Sequence, residues 1–153
     1  MTLWPWALQT YGRADVAQAC LDLQDDHRQS VPYLLWAAWA AQDGRPLSPD
    51  ILGRGALLAG HWEQIAVSPL RQARRGMKPP LDGIGDAARE ALRAQVKALE
   101  LKAEQTLMAA LEDMAPAAAS AAAPLEPALV AAAEAWMFPA PRSALRRLAN
   151  ALG

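Results

Sequence analysis

Apolar residues recur every three or four positions through most of this chain, and that spacing places them on one face of an α-helix. The pattern is regular in residues 3–11 and 15–26, and it returns from Asp86 to Met114. No run alternates apolar and polar positions with the β-branched residues that strands favour. The pattern therefore predicts an all-α fold.

One stretch lacks a polar face. Residues 31–41 contain no charged residue, and a helix that is apolar on every side lies in the interior of a protein. Ser30 is a good N-cap, Pro32 fits the first turn, and Gly44 suits the C-cap. We therefore predict that a helix over residues 31–43 forms the centre of the molecule.

Two serine–proline pairs predict the starts of the next helices. Ser48 begins a helix that runs to about Val67, and Ser68 caps a separate helix that runs to about Met77. The longest helix covers residues 86–114, and its apolar positions should pack on the others: Leu92, Val96, Leu99, Ala103, Leu107, Ala110 and Met114. These segments predict one domain, residues 1–114, built as a single bundle of five or six helices.

The remaining residues form a different kind of segment. Residues 115–124, APAAASAAAP, have the composition of a linker. Two short amphipathic helices are predicted after it, in residues 125–137 and 143–152, and they make up a C-terminal helical tail, residues 125–153. Their apolar faces either dock on the bundle, which we favour, or bind a protein partner.

Charge and cysteine content indicate the setting of the protein. The net charge is −1, so we predict neither nucleic acid nor a membrane as a partner. The start of the chain lacks the features of a signal peptide, and no uncharged run near the core reaches the length of a membrane helix. The single cysteine, Cys20, excludes an intrachain disulfide and fits a reducing compartment. We expect a cytoplasmic protein.

The predicted fifth helix carries a basic face. Arg71, Arg74, Arg75 and Lys78 follow one another at i, i+3, i+4 and i+7, and guanidinium groups match the geometry of phosphate or carboxylate. These side chains either pair with the acids of the chain, which we favour, or bind a small external anion. The acids expected in such an internal polar network are Asp25, Glu100 and Glu104.

Other kinds of site have weaker support. Ligand types such as Asp26, His27, His61 and Glu63 lack the spacing of known metal sites, so no metal and no cofactor are predicted. Cys20 lies on the apolar face of its helix and is interpreted as a core residue rather than a nucleophile. Five aromatic residues are candidates for a ligand cleft, with core packing as the favoured alternative: Trp4, Tyr11, Trp36, Trp39 and Trp62.

Five ordered segments of the chain resemble a small uncharacterised bacterial family, the domain of unknown function 2390. These segments are LWPWALQTY, ACLDLQDD, VPYLLW, PLRQARR and VKALELKAE, and the resemblance extends from residue 3 to about residue 114. The chain departs from the family pattern near Arg28, Ser30 and Pro32, where the family commonly has glycine, an acidic residue and asparagine. The resemblance implies a helical cytoplasmic bacterial protein and carries no activity.

Two hypotheses about function remain. The first is a non-enzymatic protein that acts through a protein partner, with an internal Arg/Asp/Glu network. The alternative is an anion- or phosphoester-binding protein, with or without enzymatic activity, that uses the Arg71, Arg74 and Arg75 face.

Overall fold

The computed structural model describes residues 1–153 and contains helices only, so the prediction of an all-α fold is confirmed. Eight α-helices begin and end close to the predicted positions, six in the bundle and two in the C-terminal tail. They are α1 (Leu3–Tyr11), α2 (Ala14–His27), α3 (Val31–Gln42), α4 (Pro49–Trp62), α5 (Ser68–Gly76), α6 (Asp86–Met114), α7 (Leu125–Trp136) and α8 (Arg142–Leu152).

Helix α3 is the centre of the fold, as its uniformly apolar sequence predicts. Ten of its twelve residues are buried, and it packs against α1, α2, α4, α6 and α7. The Ser30 side chain accepts a hydrogen bond from the backbone N–H of Tyr33 at the start of the helix. Trp36 and Trp39 lie entirely within the core.

Helices α4 and α5 are not separate helices joined by a capped turn, so that prediction is wrong. A π-helical segment, Glu63–Val67, connects them without a break, and Ser68 has helical backbone angles rather than those of an N-cap. Pro69 has no N–H for a bond to the carbonyl four residues earlier, and its ring crowds that carbonyl. The wider turns of the π-helix lie immediately before this proline.

The apolar face predicted for α6 is wrong in its first half. Leu92 and Leu99 are more than half exposed. This part of α6 lies beside α5, which has no buried residue. Arg89 and Arg93 face α5 instead, and they donate hydrogen bonds to the carbonyls of Met77 and Arg74 near the end of α5. The carbonyls at a helix C-terminus need such donors. Buried positions in α6 begin later, at Glu100, Ala103, Leu107, Met108 and Leu111.

The C-terminal helices dock on the bundle. Helix α7 packs against α3 and α4, and α8 packs against α2 and α7. Both contribute to the same core cluster as α3, through Leu129, Val130, Ala132, Ala133, Ala144, Leu145, Leu148, Ala149 and Leu152. The Tyr33 hydroxyl lies 3.0 Å from the Leu52 carbonyl and 3.1 Å from the Ala132 carbonyl, within hydrogen-bond distance of both. The apolar faces of α7 and α8 are therefore covered within the chain.

The segment that joins α6 to α7 is also held against the bundle. The Gly44 carbonyl accepts hydrogen bonds from the backbone N–H groups of Ala119 and Ser120. Gly44 has a φ of +67°, and a Cβ there would lie 2.0 Å from the Ser120 carbonyl oxygen. Glycine at this position thus lets the chain after α6 cross the end of α3 in close contact.

No helix combines the length and the apolar character that crossing a lipid bilayer requires.

Docking of the tail predicts the effect of a substitution in α8. Leu148→Ala removes a fully buried side chain and should lower the free energy of unfolding by about 2–5 kcal/mol. Its neighbour Arg147 is exposed, so Arg147→Ala should change it by less than about 0.5 kcal/mol. Urea denaturation followed by far-UV circular dichroism measures both. Equal stability of the two variants would contradict docking.

Candidate functional site

A network of ion pairs joins the π-helical segment, α5 and α6. Arg71 lies at its centre, with Nη1 3.0 Å from Glu63 Oε1, Nε 3.1 Å from Glu100 Oε1 and Nη2 3.6 Å from Glu104 Oε1. Arg74 donates from Nε to Glu100 Oε2 at 2.5 Å. Four of these five residues are those that the sequence singled out, and the structure brings them together.

Helical spacing explains most of this geometry. Arg71 and Arg74 are three residues apart on α5, and Glu100 and Glu104 are four apart on α6, so each pair projects from one side of its helix. The side chains of Arg71 and Glu100 are only 13% and 10% exposed. Charges this far from water are tolerated when they are paired and hydrogen-bonded.

Glu63 belongs to the network, although the sequence analysis considered it only as a metal ligand type. It lies eight residues before Arg71 and reaches it because the chain between them passes through the π-helical segment. The Ser68 hydroxyl also lies 3.4 Å from the same carboxylate oxygen. No regular helical spacing predicts a pair at this separation, so the sequence held no signal for it.

Asp25 lies outside this network, although it was predicted to belong to it, and it pairs instead with another arginine of the predicted basic face. Its Oδ1 accepts from Arg75 Nη2 at 3.4 Å, and both side chains are about half exposed. Lys78 forms no ion pair. The predicted basic face is thus divided, since Arg71 and Arg74 turn towards acids inside the protein while Arg75 and Lys78 face solvent.

Two neighbouring carboxylates in the network respond differently to their surroundings. Burial acts to raise the pKa of Glu100, but hydrogen bonds and positive charge from Arg74 and Arg71 outweigh it and hold the pKa below its usual value. Burial raises the pKa of Glu104 to about 7, with Arg71 opposing only part of that shift. Glu104 accepts no hydrogen bond from the chain, in contrast to Glu100, and the negative charges of Glu100 and Glu63 raise its pKa further.

The network forms part of the wall of a cleft with a volume of about 370 Å³. Helices α1, α2, α5 and α6 and the start of α3 surround it, with Arg71, Arg74, Glu100 and Glu104 on one side. The other residues of the wall are mostly apolar: Trp4, Ala7, Leu8, Tyr11, Leu21, Gln24, Val31, Pro32, Leu35, Lys97, Ala98, Leu101 and Met108.

The five aromatic residues proposed as a cleft have separate positions. Only Trp4 and Tyr11 line the cleft. Trp36 and Trp39 are core residues, and the indole N–H of Trp39 donates to the Met1 carbonyl. Trp62 donates its indole N–H to the Ala103 carbonyl at 2.8 Å and so ties the end of α4 to α6. Trp36, Trp39 and Trp62 therefore pack between helices and do not line the cleft.

Cys20 is buried among apolar residues, as its place on the helix predicts. Burial raises the pKa of its thiol to about 12, so the thiol stays protonated near neutral pH and is a poor nucleophile. The side chains of His, Cys, Asp and Glu form no group of three or more with the arrangement of a metal site.

Comparison with known proteins supplies a family. The sequence model of a family described as a protein of unknown function, DUF2390, matches residues 2–111. The chain belongs to this family. No curated protein and no solved structure matches it. The DUF2390 match contains the whole ion-pair network and every residue that lines the cleft, and it ends within α6, before the two C-terminal helices.

The network predicts unequal effects for two carboxylate-to-amide substitutions. Glu100→Gln removes the carboxylate that Arg71 and Arg74 share and leaves Arg74 without an ion pair in a poorly hydrated position. The free energy of unfolding should therefore fall by about 3–5 kcal/mol. Asp25→Asn breaks an exposed pair and should cost less than about 1 kcal/mol. Chemical denaturation measures both variants, and a loss for Asp25→Asn as large as that for Glu100→Gln would contradict the assignment.

The raised pKa of Glu104 predicts a pH dependence of stability. The folded protein holds this proton more tightly than the unfolded chain does, so the contribution of Glu104 to stability is fully present below pH 4.5 and is lost as the pH rises through about 7. The fall attributable to Glu104 is on the order of 3 kcal/mol, from the rise of 4.5 to about 7 at about 1.36 kcal/mol per pKa unit.

The amide of Glu104→Gln does not titrate, so this variant should lack the part of the fall in stability that Glu104 causes. Its stability relative to the wild type should therefore increase between pH 5 and pH 8, as measured by urea denaturation across that range. Asp82→Asn, at an exposed position without an ion pair, serves as the control and should follow the wild type. A constant difference between Glu104→Gln and the wild type at all pH values would refute the assignment.

Proposed function

We propose that this protein acts without catalysis, by binding a protein partner at the cleft between α1, α2, α5 and α6. A bacterial cytoplasmic setting is part of the proposal. The single cysteine is free and buried, which supports a reducing compartment.

The exposure of four apolar side chains at one concave surface carries this proposal. Leu8, Tyr11, Leu21 and Leu101 are between 39% and 50% exposed, and all four line the cleft. Exposed apolar residues grouped around a depression and bordered by polar groups are typical of protein-interaction sites. Such a depression can accept one or a few side chains of a partner. In protein interfaces, side chains that fill pockets of this kind contribute most of the binding energy.

The ion pairs on one wall of the cleft favour binding of a protein partner over binding of a small anion. Arg71 and Arg74 direct their guanidinium groups to Glu63, Glu100 and Glu104, so neither is free to hold a phosphate. Paired side chains also keep that wall in one shape before a ligand arrives, which lowers the entropic cost of association.

The C-terminal tail is less suited to this role than the cleft. Its leucines, including Leu129, Leu145 and Leu148, lie in the core of the same chain, and their faces cannot meet a second protein without unfolding of the tail. A partner at α7 or α8 would meet mainly their exposed polar side.

Site-specific photo-crosslinking in the native cell tests the proposal. A benzoylphenylalanine in place of Leu101 lies in the cleft, and one in place of Leu92 lies on the same helix outside it. The two positions match closely, with exposures of 49% and 53%. We expect a discrete protein adduct from position 101 and none of the same mass from position 92.

The crosslinked protein is then purified and bound to the intact chain. Leu101→Gln should weaken that binding at least about tenfold, since it places a polar amide in a desolvated apolar contact, while Leu92→Gln should not. Adducts from position 92 alone, or none from either position, would show that the cleft is not the binding surface.

A further inference from the structure

We infer that the cleft selects a partner segment in which a lysine lies beside apolar side chains, with the lysine ammonium group bound by Glu104. This inference rests on the proposed function and names the chemistry that the same cleft would recognise. It follows from the charges that the chain itself leaves unbalanced.

The charges of the network do not cancel. Three carboxylates, those of Glu63, Glu100 and Glu104, surround two guanidinium groups, those of Arg71 and Arg74. Two of the carboxylates accept hydrogen bonds from these arginines. One negative charge therefore remains, and Glu104 is the carboxylate that accepts no hydrogen bond.

Glu104 is also the unbalanced carboxylate that the cleft can reach. It lines the cleft, and Glu63 does not. Its nearest contact with a cation is the 3.6 Å approach of Arg71 Nη2, and its side chain is only 26% exposed. Leu101 and Met108, one turn away on either side along α6, border the same cleft. A carboxylate in this position is stabilised either by a proton or by a cation from a bound molecule.

No other cation of the chain performs this role. Lys97 lines the cleft but is exposed and forms no ion pair, and seven residues of helix place it about 10 Å from Glu104 along the axis of α6. Besides Arg71, Arg74 and Lys97, the charged or titratable residues that line the cleft with Glu104 are Tyr11 on α1 and Glu100 on α6. Asp25 on α2 lies outside this lining and is paired with Arg75. Helix α3 contributes Val31, Pro32 and Leu35, which carry no charge.

The shape and polarity of the cleft define the rest of the segment. Leu8, Leu21 and Leu101 offer apolar contacts around the single carboxylate. A lysine has a slender apolar stem and one compact charge, so it can pass between such side chains and place its ammonium group at the carboxylate. Apolar residues next to that lysine in the partner would cover the three leucines.

A dodecapeptide display library selected against the intact wild-type protein provides the probe. We expect enriched peptides that carry a lysine flanked by apolar residues and that lose binding to Leu101→Gln, which removes the apolar contact without adding a charge. For an enriched peptide, fluorescence anisotropy should show that changing its lysine to norleucine weakens binding to the wild type at least about tenfold. Glu104→Gln should bind both peptides equally, and the control Asp25→Asn should retain the preference for lysine.

The pH dependence of peptide binding is a second test of the inference. Glu104 must be deprotonated to pair with an ammonium group, and its pKa in the free protein is about 7. Binding of the lysine peptide to the wild type should therefore tighten between pH 6 and pH 8, and binding to Glu104→Gln should not change over this range.

The outcomes separate the two proposals. Enriched peptides that depend on Leu101 but lack lysine, or that bind Glu104→Gln with the same preference, would overturn the lysine inference and leave the partner cleft in place. Selection that yields no peptide dependent on Leu101 would count against the cleft as a binding surface, and both proposals would fall together.

Discussion

A helix without a polar face must be covered on every side, and this constraint on α3 organises the fold. Burying its tyrosine, tryptophans and leucines removes a large apolar area from water, the main favourable term in folding. Five other helices lie against it. The family match ends at residue 111. One side of α3 is nevertheless covered by α7, which follows that match. The C-terminal helices are thus part of the core of this chain.

Away from α3 the molecule is held by polar contacts. Helix α5 buries no residue, so it has little apolar area with which to hold α6. Arginines perform that task instead, as Arg71 and Arg74 pair with Glu100 while Arg89 and Arg93 satisfy carbonyls near the end of α5. Charged groups in such positions give a defined geometry rather than a large gain in stability.

The same arrangement places a structural network beside the proposed binding surface. Pairing inside the protein uses the arginines completely but leaves one carboxylate, Glu104, without a hydrogen bond. That carboxylate lies in a cleft whose remaining wall is mainly apolar. The cleft lies within the part of the chain that matches a family of unknown function. The proposed recognition of an amphipathic partner rests on three features of this cleft, namely a wall held by ion pairs, exposed leucines and a single uncompensated charge.

The sequence by itself determined the helical class, the limits of most helices and the central place of α3, because hydrophobic periodicity and capping residues act locally. It also indicated the partners of Arg71 and Arg74, since residues three or four apart must share a helix face.

Only the tertiary structure decided the rest. The position of Asp25 beside Arg75, the exposure of Leu92 and Leu99, and the inclusion of Glu63 depend on which helices lie next to one another. The cleft likewise arises where several helices fail to fill the space between them. Local spacing specifies which side chains share a face, but the packing of distant segments determines what each face meets.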